Sequence, residues 1–352
     1  MKNSCGKVLL VANKQDAPGW FQGCMEEIRT SAYNYSMQFS KAYGAADSLG
    51  GNQASNADVV NAINSGLNIV NYRGHGNKDV WGGWNVHEEN FDSTCVNQLS
   101  PASNPIVFSI ACLTSNINRE PCLMERFMQS VNGSVAYVGA TESTWNPANN
   151  NYNKKIFNKL LNDNIYNLGD MNNAALIENI ITHPTSANYI DNTFCYLIGG
   201  DPTLEILNTD TPSYIRPVIS INNDNSLTII STLYDYEISV VTESGELLGL
   251  ISSCVGDCTV PAPTQNVWIT LNKHNHVPYT FYVNIEDSYI QNKNISFDSF
   301  YLHDNVSIGS NVCDEMSEGP VVVSQGRSLY IKKCGLLSRD VEVQLGGSLI
   351  VN

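Results

Sequence analysis

The chain has 352 residues, which is enough for two or three domains whose hydrophobic cores need no disulfide support. Asp and Glu outnumber Lys and Arg by 34 to 19, so the formal net charge is −15. This charge argues against nucleic acid and anionic membrane surfaces as partners. No apolar run reaches the roughly 20 residues of a membrane-spanning helix. The short stretch VLLVAN near the N-terminus is more typical of a first buried strand than of a signal peptide.

Residues 1–210 alternate apolar strands with helical patterns, which predicts a mostly parallel sheet covered by helices. One helix is expected in SNADVVNAINSG, after a Ser or Asn cap, and another in PCLMERFMQSVNG, which begins with Pro121. The predicted strands are near-continuous apolar runs, as expected when both faces are buried: KVLLVAN, LNIVNYRG, NPIVFSIAC, GSVAYVGA and FCYLIGG.

The pattern changes after residue 210. Residues 211–292 show short strands of period two, which predicts a small immunoglobulin-like β-sandwich. In the tail, residues 293–352, the segments VVVSQGRSLYI (321–331) and VEVQLGGSLIV (341–351) share a pattern twenty residues apart. This repeat predicts successive rungs of a β-solenoid or stacked hairpins.

Two predicted strands of the first region end in residues that carry chemistry. One ends in Gly74-His75-Gly76, and the next ends in Cys112. Because ligands of parallel α/β sheets bind beyond the carboxyl ends of the strands, both side chains are expected at one edge. A thiol beside an imidazole supplies a nucleophile and a proton-transfer group, and open backbone N–H groups near the glycines can stabilise an oxyanion. The pattern predicts covalent catalysis by Cys112 and His75.

Each of these residues alone has a plainer explanation. A cysteine at a strand end is usually a small core residue, and a histidine in a turn usually lies at the surface. Their joint occurrence at two strand ends favours the catalytic interpretation. Elsewhere, Cys254 and Cys258 in CVGDC fit a small disulfide loop, a weak metal half-site or two free thiols, with the disulfide placed first.

Several segments resemble, in the same order, the catalytic domain of the gingipain family of cysteine peptidases, peptidase family C25. They are NIVNYRGHG, PIVFSIACLTSNIN, GSVAYVGATESTW and LIGGDPTLEI. This family is placed in the caspase-like group with legumain, clostripain and separase. The resemblance covers roughly residues 7–290 and implies an α/β caspase-like domain with a mostly parallel sheet (1–210), then an immunoglobulin-like β-sandwich (211–292). The β-rich repeat tail (293–352) is predicted from the internal repeat.

The resemblance also implies roles for individual residues. Cys112 matches the nucleophile, His75 the catalytic histidine, and Gly76 the residue that gives the oxyanion N–H. Trp145 resembles the tryptophan that lines the pocket for the residue before the scissile bond.

Gingipains specific for Arg or Lys carry acidic groups that bind a basic substrate side chain. Asp16 is the first candidate for such an acid, either in the specificity pocket or orienting His75, and Glu142 is the second. Trp20 and Phe21 would instead make the pocket apolar. We predict an endopeptidase that works through an acyl-enzyme intermediate, with a preference for a basic residue before the scissile bond.

The implied partners are protein or peptide substrates, with cell-surface association. No cofactor and no catalytic metal are expected, whereas structural calcium is, in Asp- and Asn-rich loops such as NNDNS. The family implies a secreted or cell-surface bacterial protein whose export signal lies outside this chain. The alternative is a catalytically inactive surface adhesin or binding protein. It rests on two departures from the gingipain pattern: the sequence does not fix the position of the specificity acid, and this chain starts without the subdomain and propeptide that gingipains carry ahead of this region.

Overall fold

A mixed six-stranded sheet forms the centre of the first part of the chain. The computed structural model describes residues 6–14, 20–32, 37–46, 50–118, 121–208 and 212–351. The chain divides into two compact units, residues 1–211 and 212–352. The strands of the first unit are β1 (Gly6–Ala12), β2 (Met37–Tyr43), β3 (Ile69–Arg73), β4 (Gly76–Asn77), β5 (Val80–Trp81), β6 (Ile106–Ile110), β7 (Ala136–Ala140) and β8 (Tyr196–Gly200). Its helices are α1 (Trp20–Ser31), α2 (Asn56–Asn64), α3 (Ser93–Val96), α4 (Leu123–Gln129), α5 (Asn146–Leu161), α6 (Leu168–Thr182) and α7 (Ala187–Cys195).

The sheet of the first unit has the order β2-β1-β3-β6-β7-β8. The first five strands run parallel, and β8 pairs antiparallel to β7. Helix α2 begins at its predicted cap, since Ser55 accepts a hydrogen bond from the Asp58 N–H in a capping box. The predicted α/β class is confirmed.

Both faces of this sheet are buried, which explains the near-continuous apolar strands. In β1, Val8 and Leu10 belong to one core cluster with residues of α1, α5 and α6. Leu9 and Val11 belong to a second cluster with residues of α2, α3 and α4. Because alternate residues of a strand point to opposite faces, polar positions are tolerated chiefly where the strands end.

The second unit is built from strands in the described residues 212–351. They are β9 (Ser213–Tyr214), β10 (Val218–Ile221), β11 (Leu227–Ile230), β12 (Tyr234–Thr242), β13 (Leu247–Val255), β14 (Cys258–Val260), β15 (Val267–Asn272), β16 (His276–Val277), β17 (Tyr279–Asn284), β18 (Tyr289–Ile290), β19 (Lys293–Ile295), β20 (Asp298–Tyr301), β21 (Val306–Ile308), β22 (Val321–Val323), β23 (Ser328–Ile331), β24 (Cys334–Leu337), β25 (Val341–Val343) and β26 (Ser348–Val351).

Two sheets of this unit share one apolar core. A three-stranded sheet, β10-β11-β14, contributes Leu227 and Ile229, and a seven-stranded sheet contributes Ile238, Ile269 and Phe281 to the same cluster. The seven-stranded sheet has the order β13-β12-β15-β17-β20-β23-β26. Its antiparallel half ends at β17, where parallel pairing with β20 begins.

From β17 onward, the strands pair in parallel and form three separate ladders. These ladders are β17-β20-β23-β26, β18-β21-β24 and β19-β22-β25. Val321 pairs with Val341, and Ser328 pairs with Ser348, so the two copies of the sequence repeat lie in register. The division of the second unit near residue 292 stays a prediction.

Cys254 and Cys258 are free thiols whose sulfur atoms lie 3.0 Å apart. The disulfide that the spacing favoured is therefore not formed in this structure. Burial raises the pKa of Cys254 to about 12, and the hydrogen bond with Cys258 contributes to this rise.

Candidate active site

His75 and Cys112 follow two neighbouring parallel strands at the same edge of the six-stranded sheet. Strand β3 pairs with β6 in a register that sets Arg73 opposite Ile110. Each candidate residue stands two positions beyond this last pair. His75 is exposed, and Cys112 is half-buried. The predicted edge is confirmed, and a direct contact between thiol and imidazole stays a prediction.

The two glycines around His75 allow the chain to pass very close to its neighbours. A Cβ at Gly74 would lie 2.5 Å from the Tyr72 hydroxyl oxygen. A Cβ at Gly76 would lie 2.7 Å from the carbonyl oxygen of Cys112, so the backbones of the two candidate loops touch. The Tyr72 hydroxyl donates to the His75 carbonyl at 2.7 Å and fixes the turn. Glycine is needed here for close approach to the protein itself.

The backbone immediately after Cys112 is held in a rare conformation. Leu113 has φ = 63°, in the left-handed region that residues with a Cβ seldom adopt. Its N–H donates to the Glu142 carbonyl at 3.1 Å, and the Ser115 N–H donates to the Ala140 carbonyl at 2.9 Å. These bonds fasten the Cys112 turn to the end of β7. Strained backbone of this kind concentrates at functional sites, where the surrounding structure maintains it.

The sulfur of Cys112 contacts a single residue from the loop after β7 at three points. The Thr144 N–H donates to Sγ at 3.3 Å, the Thr144 hydroxyl oxygen lies 3.4 Å from Sγ, and the Thr144 carbonyl oxygen lies 3.6 Å from it. Sequence patterns gave no signal for Thr144, since it lies 32 residues from Cys112 and only the fold brings the two together.

A fully buried arginine underlies this edge of the sheet. The Arg73 guanidinium donates to the carbonyls of Ile110 at 3.1 Å and Asn146 at 3.1 Å, and to the side chains of Asn146 at 2.9 Å and Asn150 at 2.6 Å. A longer bond of 3.4 Å reaches the Gly74 carbonyl. Arg73 thus ties the ends of β3 and β6 to the first turn of α5. Burial lowers its pKa.

The same guanidinium also reaches His75 through an aromatic ring. Its Cζ lies 4.6 Å from the centroid of Phe21, and the Phe21 ring meets the His75 imidazole edge-on with centroids 5.4 Å apart. Phe21 is buried, so its ring packs against the imidazole from the protein interior. The sequence did contain a signal for Arg73, because it is the one charged residue in the apolar run NIVNYR.

Comparison with known proteins identifies the family. The sequence profile of Peptidase family C25 matches residues 2–207, which is more than half of the 352 residues. This chain belongs to peptidase family C25.

The curated C25 relatives are gingipains of Porphyromonas gingivalis. Gingipain R2 is 23% identical over an alignment of 251 positions that covers 66% of this chain and 33% of the relative. Gingipain R1 is 23% identical over an alignment of 204 positions that covers 54% of this chain and 20% of the relative. The chain spans a third or less of the length of these relatives.

Solved structures of the C25 family share the fold. The crystal structure of the Arg-specific cysteine proteinase gingipain R (RGPB) aligns with a TM-score of 0.68 and 18% identity, over 80% of this chain and 67% of that chain. A complex of the Porphyromonas gingivalis RgpB pro- and mature domains aligns with a TM-score of 0.67 and 18% identity, over 80% of this chain and 69% of that one.

The other predicted site residues of this C25 chain lie around the same edge or outside the described residues. Trp145 occupies the N-cap position of α5 without a side-chain capping hydrogen bond and is 52% exposed. Its backbone N–H donates to Asn192 Oδ1 at 2.9 Å. Glu142 is exposed beside the Cys112 turn. Asp16 lies outside the described residues. Trp20 is partly exposed, whereas the buried Phe21 is unavailable as a pocket wall.

The described ranges contain no group of three His, Cys, Asp or Glu side chains that could hold a metal ion. In the NNDNS loop, Asp224 accepts from the Ser226 N–H at 3.0 Å and from its hydroxyl at 2.6 Å. Structural calcium and the absence of a cofactor stay predictions. None of the helices described is long and apolar enough to cross a membrane.

Proposed function

We propose that this chain is a cysteine endopeptidase in which Cys112 is the nucleophile and His75 transfers protons. The observation that carries the proposal is the register of β3 and β6, which sets both residues at one sheet edge with Gly76 against the Cys112 backbone. Membership of peptidase family C25 supports the same chemistry.

In the proposed reaction, the Cys112 thiolate attacks the carbonyl carbon of a peptide bond. The tetrahedral oxyanion accepts a hydrogen bond from the Gly76 N–H, as in other acyl-transfer enzymes. His75 carries the thiol proton to the leaving amine, and the C–N bond breaks to leave a thioester. Water then attacks the thioester, with His75 accepting its proton, and the thiol is restored.

The proposal extends to a basic residue before the scissile bond. A structural neighbour is named as Arg-specific, and the exposed Glu142 and Trp145 stand beside Cys112 in the chain's own site. Asp16 is the other candidate carboxylate. Paired peptide substrates that differ only in Arg, Lys, Asn or Leu at this position test the preference. Equal kcat/KM for Arg and Leu would remove it without touching the peptidase proposal.

We also infer that the substrates are proteins or peptides outside the cell or at its surface. The two modules after residue 210 are proposed as an immunoglobulin-like sandwich and a solenoid tail, on the strength of the shared core and the parallel ladders.

The decisive experiment compares Cys112→Ala and His75→Ala with His87→Ala and Cys313→Ala. We expect the first two to lose peptide cleavage by several orders of magnitude. The controls remove an exposed histidine and a half-buried thiol of the second unit, and should keep full activity. Circular dichroism and thermal unfolding establish that each variant is folded.

A second measurement separates the enzyme from an inactive adhesin. Brief treatment with iodoacetamide, followed by peptide mass mapping, should label Cys112 faster than the other cysteines because a catalytic thiol is partly ionised. Wild-type cleavage by Cys112→Ala, or uniformly slow labelling, would contradict the peptidase proposal and favour the adhesin.

A further inference from the structure

The Thr144 side chain touches the sulfur atom on which the proposed reaction depends. Its hydroxyl oxygen lies 3.4 Å from Cys112 Sγ, and its backbone N–H donates to the same sulfur at 3.3 Å. A hydroxyl can donate one hydrogen and accept two, so the direction of this contact depends on what else binds the oxygen.

Neighbouring amides determine that direction. The Trp145 backbone N–H, which can only donate, binds Asn192 Oδ1 at 2.9 Å. The amide nitrogen of Asn192 must therefore face Asn149, and it donates to Asn149 Oδ1 at 2.8 Å. The amide nitrogen of Asn149 is in turn left to donate to Thr144 Oγ1, at 2.8 Å. Both asparagines are 1% exposed.

Because Thr144 Oγ1 already accepts a hydrogen from Asn149, its own hydrogen is available for Cys112 Sγ. We propose that Thr144 is a catalytic residue that stabilises the thiolate of Cys112 with its N–H and its hydroxyl, and that Asn149 and Asn192 fix the direction of this hydroxyl. The inference rests on the proposed function, in which Cys112 is the nucleophile.

The contacts of Thr144 suit both protonation states of the sulfur. In the thiol, the S–H bond points to the Thr144 carbonyl oxygen, 3.6 Å away. When the proton moves to the His75 imidazole, the sulfur keeps the electron pair of the S–H bond and becomes an acceptor only. The two Thr144 donors then bind that negative charge, and hydrogen bonds to a charged acceptor are the stronger kind.

Several other groups act on the same sulfur. Cys112 interacts electrostatically with Arg73 and Tyr72 from β3, with Cys195 at the end of α7, and with Tyr196 from β8. Burial raises the pKa of the Tyr196 phenol, and the nearby Thr144 hydroxyl opposes this rise as a hydrogen-bond donor. Since the Tyr196 hydroxyl donates to Asn149 Oδ1 at 2.7 Å, its oxygen competes with Sγ for the Thr144 hydrogen.

The test measures how the alkylation of Cys112 by iodoacetamide depends on pH, with the product mapped by mass spectrometry, in parallel with peptide cleavage. In Thr144→Val, the midpoint of the alkylation profile should move up by about one pH unit, and kcat/KM at neutral pH should fall about tenfold. Thr144→Ser keeps the hydroxyl and should stay within about twofold of wild type.

Thr141→Val is the matched control, because it removes a hydroxyl of the same loop that donates to the Cys195 carbonyl at 3.0 Å. Its alkylation profile should not move. Tyr196→Phe removes the competing acceptor, so its midpoint should not rise. If Thr144→Val does not fold, as judged by thermal unfolding, Thr144→Ala takes its place.

Each outcome decides the inference. A Thr144→Val profile that coincides with wild type overturns it, while rapid labelling of Cys112 and loss of cleavage in Cys112→Ala leave the peptidase proposal standing. A rise in Tyr196→Phe equal to that in Thr144→Val also overturns it, because the phenol would then be the group that matters. If Cys112→Ala still cleaves peptides, both proposals fail together.

Discussion

Two buried amides, one in each compact unit, satisfy their hydrogen bonds in different ways. Gln291 in the second unit donates to three backbone carbonyls of residues 313–317 and accepts backbone N–H groups of residues 312–313. Asn149 in the first unit donates to Thr144, whose hydroxyl reaches the sulfur of Cys112. Backbone amide groups are neutral and do not titrate, whereas a thiol can lose a proton. A buried network that ends on backbone fixes a loop, and one that ends on an ionisable atom can also tune chemistry.

Among the changes that test this comparison, removing the fully buried charge of Arg73 gives the largest expected effect. Arg73→Met removes the hydrogen bonds that the guanidinium donates to the Ile110 and Asn146 carbonyls and to the side chains of Asn146 and Asn150. We expect the free energy of unfolding to fall by about 3 kcal/mol or more, since each unsatisfied buried group costs about 1–3 kcal/mol. Cleavage should fall about 100-fold, because small displacements of reacting groups have effects of this size. Urea denaturation and steady-state kinetics measure both.

Arg126→Met is the control, because Arg126 lies exposed on α4. If Arg73→Met retained wild-type stability and activity, buried polarity in the first unit would be unrelated to its site.

The second expected effect is confined to stability. Gln291→Leu removes five hydrogen bonds to the loop of residues 312–317 and should lower the free energy of unfolding by about 2–3 kcal/mol. The cleavage rate of the folded protein should not change. Hydrogen exchange of residues 310–319 should accelerate, whereas the exposed Gln325→Leu should leave it as in wild type. A loss of cleavage without a loss of stability would break the distinction between the two networks.

A charge change in the other network should affect chemistry more than stability. In Asn149→Asp the carboxylate no longer donates to Thr144 Oγ1 and accepts its hydrogen instead, and it adds a negative charge close to the sulfur. Both changes disfavour the thiolate, so alkylation of Cys112 at neutral pH should slow about tenfold. Asn158→Asp adds the same charge later on α5 and serves as the comparison. Equal slowing in both variants would assign the effect to charge alone.

The smallest effect is expected from Glu26, a partly exposed carboxylate with which the two buried networks can be compared. Burial would raise the pKa of Glu26, but hydrogen bonds from Arg29, Lys41 and Tyr43 outweigh it and hold the pKa at about 2, below the ordinary 4.5. Because the pKa of Glu26 is lower in the folded than in the unfolded protein, the ionised carboxylate stabilises the fold above about pH 4.5. This stabilisation is lost as the pH falls from about 4.5 to about 2.

Glu26→Gln should therefore lower the melting temperature slightly at pH 7, with the difference from wild type disappearing toward pH 2. Glu27→Gln, on the same helix, is the control. A difference that persisted at pH 2 would show that the carboxylate charge is not its source.

The sequence was informative where burial alone decides the structure. The apolar runs of β3 and β6 predicted buried parallel strands, and the residues that follow them, His75 and Cys112, lie at the edge predicted for them. The capping of α2 by Ser55 was also visible, because a cap depends on residues only three positions apart.

The contacts that complete the site depend on distant segments and left little trace in the sequence. Asn149 meets Asn192 across 43 residues, and Thr144 meets Cys112 across 32. Sequence periodicity cannot reveal such contacts, because a single side chain in a loop is not part of a repeating pattern. Arg73 differs, because a charged residue inside a buried strand must find partners, and that requirement can be recognised from sequence alone.

The left-handed backbone at Leu113 has a consequence for protein engineering. A residue with a side chain pays about 1–2 kcal/mol in this conformation, so a redesign that maximises thermostability would select glycine there. Glycine would also permit many other turns after position 112, and the sulfur would then sample several directions. Redesign of this protein should therefore keep leucine at position 113, although its left-handed backbone is strained.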